Sequence, residues 1–263
     1  QFAISDRQRK AGDLFVHFGR VTHGTLRVGD AVELRVEGER RRKLRANHSV
    51  THLLHQALRH RLGEHVTQKG SHVAPDRLRF DFSHPRPLSA DDLAVIEAEV
   101  NAQIRANVEV RTRLLTPEHA VAEGALALFG EKYGEEVRVV AMGEVGAPER
   151  SDIPSYSVEL CGGTHVRRTG DISLFKIVGE SSVASGVRRL EALTGAAAEA
   201  YVAQEEGALR DSAAALRTSP SELPARLARL LDENRRLERE LAEARRALAV
   251  GGHSRSEGNA GGR

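Results

Sequence analysis

Cysteine and methionine each occur once in these 263 residues, as Cys161 and Met142. A lone cysteine excludes an intramolecular disulfide. No apolar run approaches the ~18 residues that span a bilayer, and no charged-then-apolar segment at the amino end marks a secretory signal. The cytoplasm is therefore the expected location, with no membrane partner. Because the sequence opens on Gln1 and its sole methionine is Met142, it reads as part of something longer. Net charge is scarce as well, with a formal value of +2. A polyanionic partner would have to be met by local patches. Such patches exist: Arg35, Arg40, Arg41, Arg42, Lys43 and Arg45 against Glu37 and Glu39, then Arg59 to Arg61, Arg167 with Arg168, and Arg188 with Arg189. Each run is equally readable as a solvated face.

What is present is apolar content of 40%, enough for at least one core, in a length that allows two domains. Residues 14 to 37 alternate apolar and polar positions (Leu14, Val16, Phe18, then Val28, Val32, Leu34, Val36) between glycines at 19, 24, 29 and 38. This predicts short antiparallel strands, part of a barrel. Asn47 is placed to cap a helix whose apolar stripe is Val50, Leu53, Leu54, Ala57 and Leu58. Strand patterns follow at 65–68 and 71–82. Ser89 with Asp92 has the form of a capping box opening a helix over 90–106. Thr116 and Pro117 open another, which Gly130 would close. Strands are expected at 108–115, 137–142, 156–161 and 172–178, and a short helix over 187–194 ending at Gly195. Consecutive strands argue against a regular βαβ alternation and for an α+β fold with mostly antiparallel sheet, in two layers.

From 196 the chain turns to alanine-rich helix, broken at "TSPSELP". Beyond the break, Leu223, Leu227, Leu230, Asn234, Leu237, Leu241, Ala244 and Leu248 step alternately by four and three, a coiled-coil seam. Asn234 at an a position would fix register in a parallel homodimer; the alternative is a helix packed on its own chain. The tail "GGHSRSEGNAGGR" reads as a flexible end.

His48 and His52 sit one helical turn apart, an axial rise of about 6 Å, so both side chains can reach one ion. His48 and His55, about 10.5 Å apart along the axis, can hardly share one. All three histidines fall opposite the apolar stripe and would line solvent or a cleft. "CGGTH" at 161–165 supplies a second two-residue clip, in which a tight turn through Gly162 and Gly163 brings Cys161 and His165 to the same side. Soft thiolate with imidazoles suits zinc better than magnesium or calcium. Cys161 also admits two rival readings, a small buried hydrophobe or a nucleophile.

In order, "NHSVTHLLHQALR", "HVTQKGSHV", "RLRFDFSH", "ELCGGTHVRRTGDI", "FKIVGESSVASGVRRLEALTG" and "LRTSPSELPARL" resemble the editing region of the bacterial alanyl-tRNA synthetases, over nearly the whole chain. The paired clips are shared with free-standing alanyl-tRNA editing proteins and with threonyl-tRNA synthetase; "TQKGS" and the helical continuation point to the alanyl synthetases. The resemblance implies a partial β-barrel over 1–45, a zinc-dependent editing domain over 46–195, a helical linker over 196–250 and a flexible tail over 251–263. It implies one zinc ion on His48, His52, Cys161 and His165. It further implies hydrolysis of the ester joining serine or glycine to tRNA for alanine, with Gln68 as the editing glutamine. The aminoacylation core would lie outside this chain.

A site that removes serine but spares alanine must hydrogen-bond serine's hydroxyl. Thr67, beside Gln68, is the candidate for that contact, or merely a β-branched strand residue. Arg79 and Asp81 are either substrate contacts or an exposed ion pair. Gly162 and Gly163 are placed beside the substrate. In "SSVASGVRR", small residues lead into the expected helix, whose amino end with Arg188 or Arg189 would hold the terminal phosphates. Two other functions stay open: a non-catalytic zinc-stabilised module for tRNA docking and dimerisation, and a free-standing trans-editing protein.

Overall fold

A computed structural model describes residues 1–12, 14–126, 134–143 and 155–253 and divides the chain into two compact units, Gln1–Arg41 and Arg42–Arg263. In the first unit, β1 (Phe2–Lys10) and β2 (Leu14–Val21) form an antiparallel hairpin, not a closed barrel. The strand expected from the alternation at 28–36 does not form. Val28, Val32, Leu34 and Val36 lie exposed in irregular chain, because no described strand pairs with them and an unpaired alternating segment satisfies neither its backbone nor its apolar face.

α1 (Gly38–Leu62) starts nine residues before the expected cap, so Asn47 sits inside the helix. Its amide is used for tertiary contacts instead: Nδ2 donates to the Ala74 carbonyl at 2.7 Å, and Oδ1 accepts from the Thr194 hydroxyl at 2.7 Å. After α1 come β3 (Gln68–Val73), β4 (Leu78–Ser83), α2 (Ala90–Ala106), β5 (Arg111–Leu115) and α3 (Pro117–Ala122). They are followed by β6 (Val137–Met142), β7 (Ser157–Leu160), β8 (Phe175–Ala184), β9 (Val187–Thr194), α4 (Gly195–Ala215) and α5 (Leu223–His253). Two antiparallel sheets result, in the orders β3-β4-β9-β8 and β5-β6-β7.

The period-two pattern of "LRFDFS" on β4 buries Leu78, Phe80 and Phe82 against the Val50, Leu53, Leu54 face of α1 and against Ile96 and Val100 of α2. Each of these large side chains contributes about 1.5–3 kcal/mol by leaving water. α2 has the expected bounds and a complete capping box, with Asp92 N–H donating to Ser89 Oγ at 3.0 Å and Ser89 N–H to Asp92 Oδ2 at 3.1 Å. α3 stops at Ala122, where Gly124 takes a φ of +85°; Gly130, the expected stop, lies outside the described residues.

The helix expected over 187–194 is strand β9. A hairpin turn at Gly186 (φ +71°) leads β8 into β9, which pairs with β8 on one side and β4 on the other. Gly195 does not end a helix but opens α4, with its N–H bonded to the Leu174 carbonyl at 2.8 Å. α5 extends to His253, so the helix enters the segment read as flexible; residues 254–263 lie outside the described ones. Leu227, Leu237, Leu241 and Leu248 of its seam are exposed rather than packed on the chain's own helices. No described helix is long and apolar enough to cross a membrane.

Candidate metal centre

α1 presents His48 and His52 one turn apart, while β7 ends at Leu160, immediately before Cys161. The turn through Gly162 and Gly163 then returns His165 to the sulfur, with His165 Nε2 3.3 Å and His48 Nε2 3.6 Å from Cys161 Sγ. One ligand atom from each of His48, His52, Cys161 and His165 lies within 4.8 Å of all the others. A tetrahedral zinc site has edges of about 3.3 Å between nitrogens and about 3.6 Å between nitrogen and sulfur, given its bond lengths. The sulfur-to-imidazole distances match those edges.

Two further observations fit an ion among these four. His52 Nε2 is buried with no hydrogen-bond partner among the described residues, although its Nδ1 is bonded to Glu159 at 2.6 Å. An orphaned ring nitrogen of this kind is costly unless something takes its lone pair. The sulfur favours the ligating form: burial opposes ionisation of Cys161, but His165, His48 and His52 overcome it and take the thiol down to about 3. Burial likewise opposes protonation of His52, but Glu159 and Cys161 outweigh it and hold the imidazole up at about 10, so an ion would displace the His52 proton. A thiolate with three imidazoles is a donor set for zinc.

The walls of the centre are built from hydrogen bonds across the chain. Ser49 Oγ accepts the Val166 N–H at 3.0 Å and lies 3.2 Å from His165 Nδ1. Arg138 on β6 donates from Nε to the Cys161 carbonyl at 2.9 Å, and the Cys161 N–H returns a bond to the Arg138 carbonyl at 2.9 Å. A Cβ at Gly163 would fall 1.8 Å from His48 Cε1, so the turn passes the imidazole at a distance only glycine permits.

The third histidine faces neither solvent nor a cleft. His55 is buried, with Nδ1 3.0 Å from Glu159 Oε1. Glu159, on β7, is itself 3% exposed and was not singled out by spacing or composition. Burial opposes its ionisation, yet His52 and His55 pull it down to about 2. The available signal was a lone acid inside the strand run "SVEL", directly ahead of the cysteine.

The remaining candidates are dispersed over the sheet. Gln68 opens β3, with Nε2 donating to Ser71 Oγ at 3.3 Å. Thr67 precedes it, its hydroxyl 3.0 Å from Ser83 Oγ. Asp81 does not pair with Arg79, two residues along the same strand, but with Arg189 directly opposite on β9, at 2.7 Å through two bonds. Cross-strand neighbours stand closer than residues two apart on one strand. Arg79 keeps a buried Nε with no partner among the described residues. Arg188 donates to Glu180 of β8. With β9 a strand, no helix amino end exists there for phosphates, and both arginines already face carboxylates.

The sequence beyond the site has relatives. Residues 137–191 match the Threonyl and Alanyl tRNA synthetase second additional domain. Over 98% of the chain the sequence is 59% identical to the alanine--tRNA ligase of Rhizorhabdus wittichii, and over 95% it is 61% identical to that of Granulibacter bethesdensis. The alanine--tRNA ligase of Sphingopyxis alaskensis is 60% identical over 99% of the chain. The chain belongs to the alanine--tRNA ligase family. It spans 29%, 28% and 29% of the length of these three relatives. Within this alanine--tRNA ligase segment, the matched domain holds Cys161 and His165, whereas His48 and His52 lie ahead of it. The donor set is completed only by the preceding helix.

Proposed function

We propose that this chain hydrolyses wrongly charged tRNA, releasing serine or glycine from tRNA for alanine, as the editing part of an alanine--tRNA ligase. The observation that carries the reading is the convergence of His48, His52, Cys161 and His165 within 4.8 Å. Zinc held there would supply a Lewis acid beside an ester carbonyl, or a lowered pKa for water.

The chain's own side chains supply position and selection. With its Nε2 on Ser71, Gln68 retains its carbonyl oxygen and second amide hydrogen to orient a water against the ester. Thr67 and Ser83, already a hydroxyl pair, would take serine's hydroxyl as a third member. Alanine offers the pair nothing, so its residence is shorter, though neither hydroxyl is orphaned by it. Positive charge for the RNA backbone would come from the exposed Lys43 and from Arg79, since phosphates at Arg188 or Arg189 would have to displace Glu180 or Asp81.

One observation favours a second reading. Four protein donors fill a tetrahedron, the arrangement of structural zinc sites. On that reading the chain is a non-catalytic module that docks tRNA. The two are separated by incubating the zinc-loaded chain with serylated tRNA for alanine and following serine release. Editing predicts release, a slow but folded Gln68→Ala variant, and loss of both metal and stability in Cys161→Ala. Binding of the tRNA with no release above background assigns the docking function instead.

A further inference from the structure

We propose that Glu159 is a positioning residue of the metal centre and that His55 serves Glu159 rather than the ion. The inference rests on the reading of His48, His52, Cys161 and His165 as a metal site. Glu159 is 3% exposed, and each of its oxygens has its own imidazole: Oε2 is 2.6 Å from His52 Nδ1, and Oε1 is 3.0 Å from His55 Nδ1. The Ser157 hydroxyl donates to Oε1 at 3.4 Å. A carboxylate only accepts hydrogen bonds, so both imidazoles must carry their proton on Nδ1.

In the neutral form that can ligate, this leaves the lone pair of each ring on Nε2; both nitrogens are buried without a partner among the described residues, but only His52 belongs to the four-donor group. The bond at Nδ1 therefore fixes both the tautomer and the plane of the ring, and aims the bare nitrogen at the other three donors. His165 Nδ1 lies 3.2 Å from the Ser49 hydroxyl, which would accept its N–H once Nε2 ligates the ion. His55 comes three residues after His52 on α1, on the same flank of the helix, but its ring nitrogens are outside the four-donor group. Its function is to give the second oxygen a closer donor than the 3.4 Å contact from Ser157, holding the carboxylate in place in the interior. The chain of contacts runs His55, Glu159, His52, ion, and it spans 107 positions of sequence between Glu159 and His52.

The test measures zinc affinity of the full chain by chelator competition, with cobalt(II) absorption as a second readout. The variants are Glu159→Gln, Glu159→Asp and His55→Phe, with Cys161→Ala as the control for the site itself. Glu159→Gln should still bind one ion but about 10- to 100-fold more weakly, the usual loss for such outer partners. Glu159→Asp should recover part of the affinity and of the cobalt spectrum, and His55→Phe should show a smaller loss in the same direction. If Glu159→Gln does not fold, His55→Phe decides alone. Wild-type affinity and spectrum in both variants, with binding abolished in Cys161→Ala, would overturn the proposal and leave the metal site standing. Failure of the wild type to take up zinc or cobalt would overturn both.

Discussion

Ser49 and Val166 lie 117 positions apart and share a hydrogen bond of 3.0 Å, from the Val166 N–H to the Ser49 hydroxyl. The same hydroxyl stands 3.2 Å from His165 Nδ1. One side chain thus ties the helix that carries two ligands to the turn that carries the other two.

Ser49→Ala should leave the Val166 N–H buried and unpaired, at a cost of about 1–3 kcal/mol. Denaturant unfolding of the metal-free chain measures this. Zinc affinity should fall as well, because His165 loses its outer partner.

Adjacent glycines in the turn should respond in opposite ways. A methyl at Gly163 would meet His48 ring atoms at 1.8 and 2.5 Å, whereas at Gly162 nothing lies within 4 Å. Gly163→Ala is expected to expel His48 and abolish tight zinc binding, while Gly162→Ala retains it. Metal content of the two purified variants checks the contrast, and equal occupancy in both would contradict the geometry.

Loading the centre should stabilise the fold by mass action. With free zinc at a hundredfold excess over its dissociation constant, unfolding becomes harder by about 2.7 kcal/mol. Melts with and without chelator measure the shift, and Cys161→Ala should show none.

Acid stability should depend on the α2 cap. Hydrogen bonds from Ser89 and then Arg61 hold the Asp92 carboxyl down at about 2, against an ordinary value of 3.8. A carboxyl depressed in the folded state stabilises fully above the unfolded pKa, and that contribution disappears as pH falls toward 2. Ser89→Ala should cost about 1 kcal/mol at neutral pH through loss of the cap. It should also flatten the loss of stability between pH 4 and pH 2, as read from unfolding midpoints across a pH series.

Local signals in the sequence located most of the centre. The one-turn spacing of His48 and His52 depends only on helix geometry, and the capping box of α2 only on residues three apart. The alternation on β4 likewise set its buried face. What local pattern could not settle was choice of partner. "VRRLEALT" carries apolar residues at spacings that suit either period, and it became β9 because β8 and β4 pair with it on both sides. Asp81 selected Arg189 over Arg79 for the same reason, a neighbour supplied by another strand. Asn47 has the chemistry of a cap, yet helix-compatible residues run ahead of it and its amide finds Ala74 and Thr194. Glu159 carries no local signature because an acid is stable in an interior only through partners, here imidazoles more than 100 positions away.

His48 and Cys161 stand 113 positions apart. An ion gripping both would act on the unfolded chain like a cross-link, and closing a loop of about 100 residues is worth roughly 4.7 kcal/mol in the chain-entropy model. During synthesis His48 and His52 emerge well before Cys161 and His165, so the four donors would be complete only once the far clip has followed. A backbone cut between the clips should then yield two pieces that, sharing the β4–β9 ladder and the core, part at lower denaturant in chelator than in zinc.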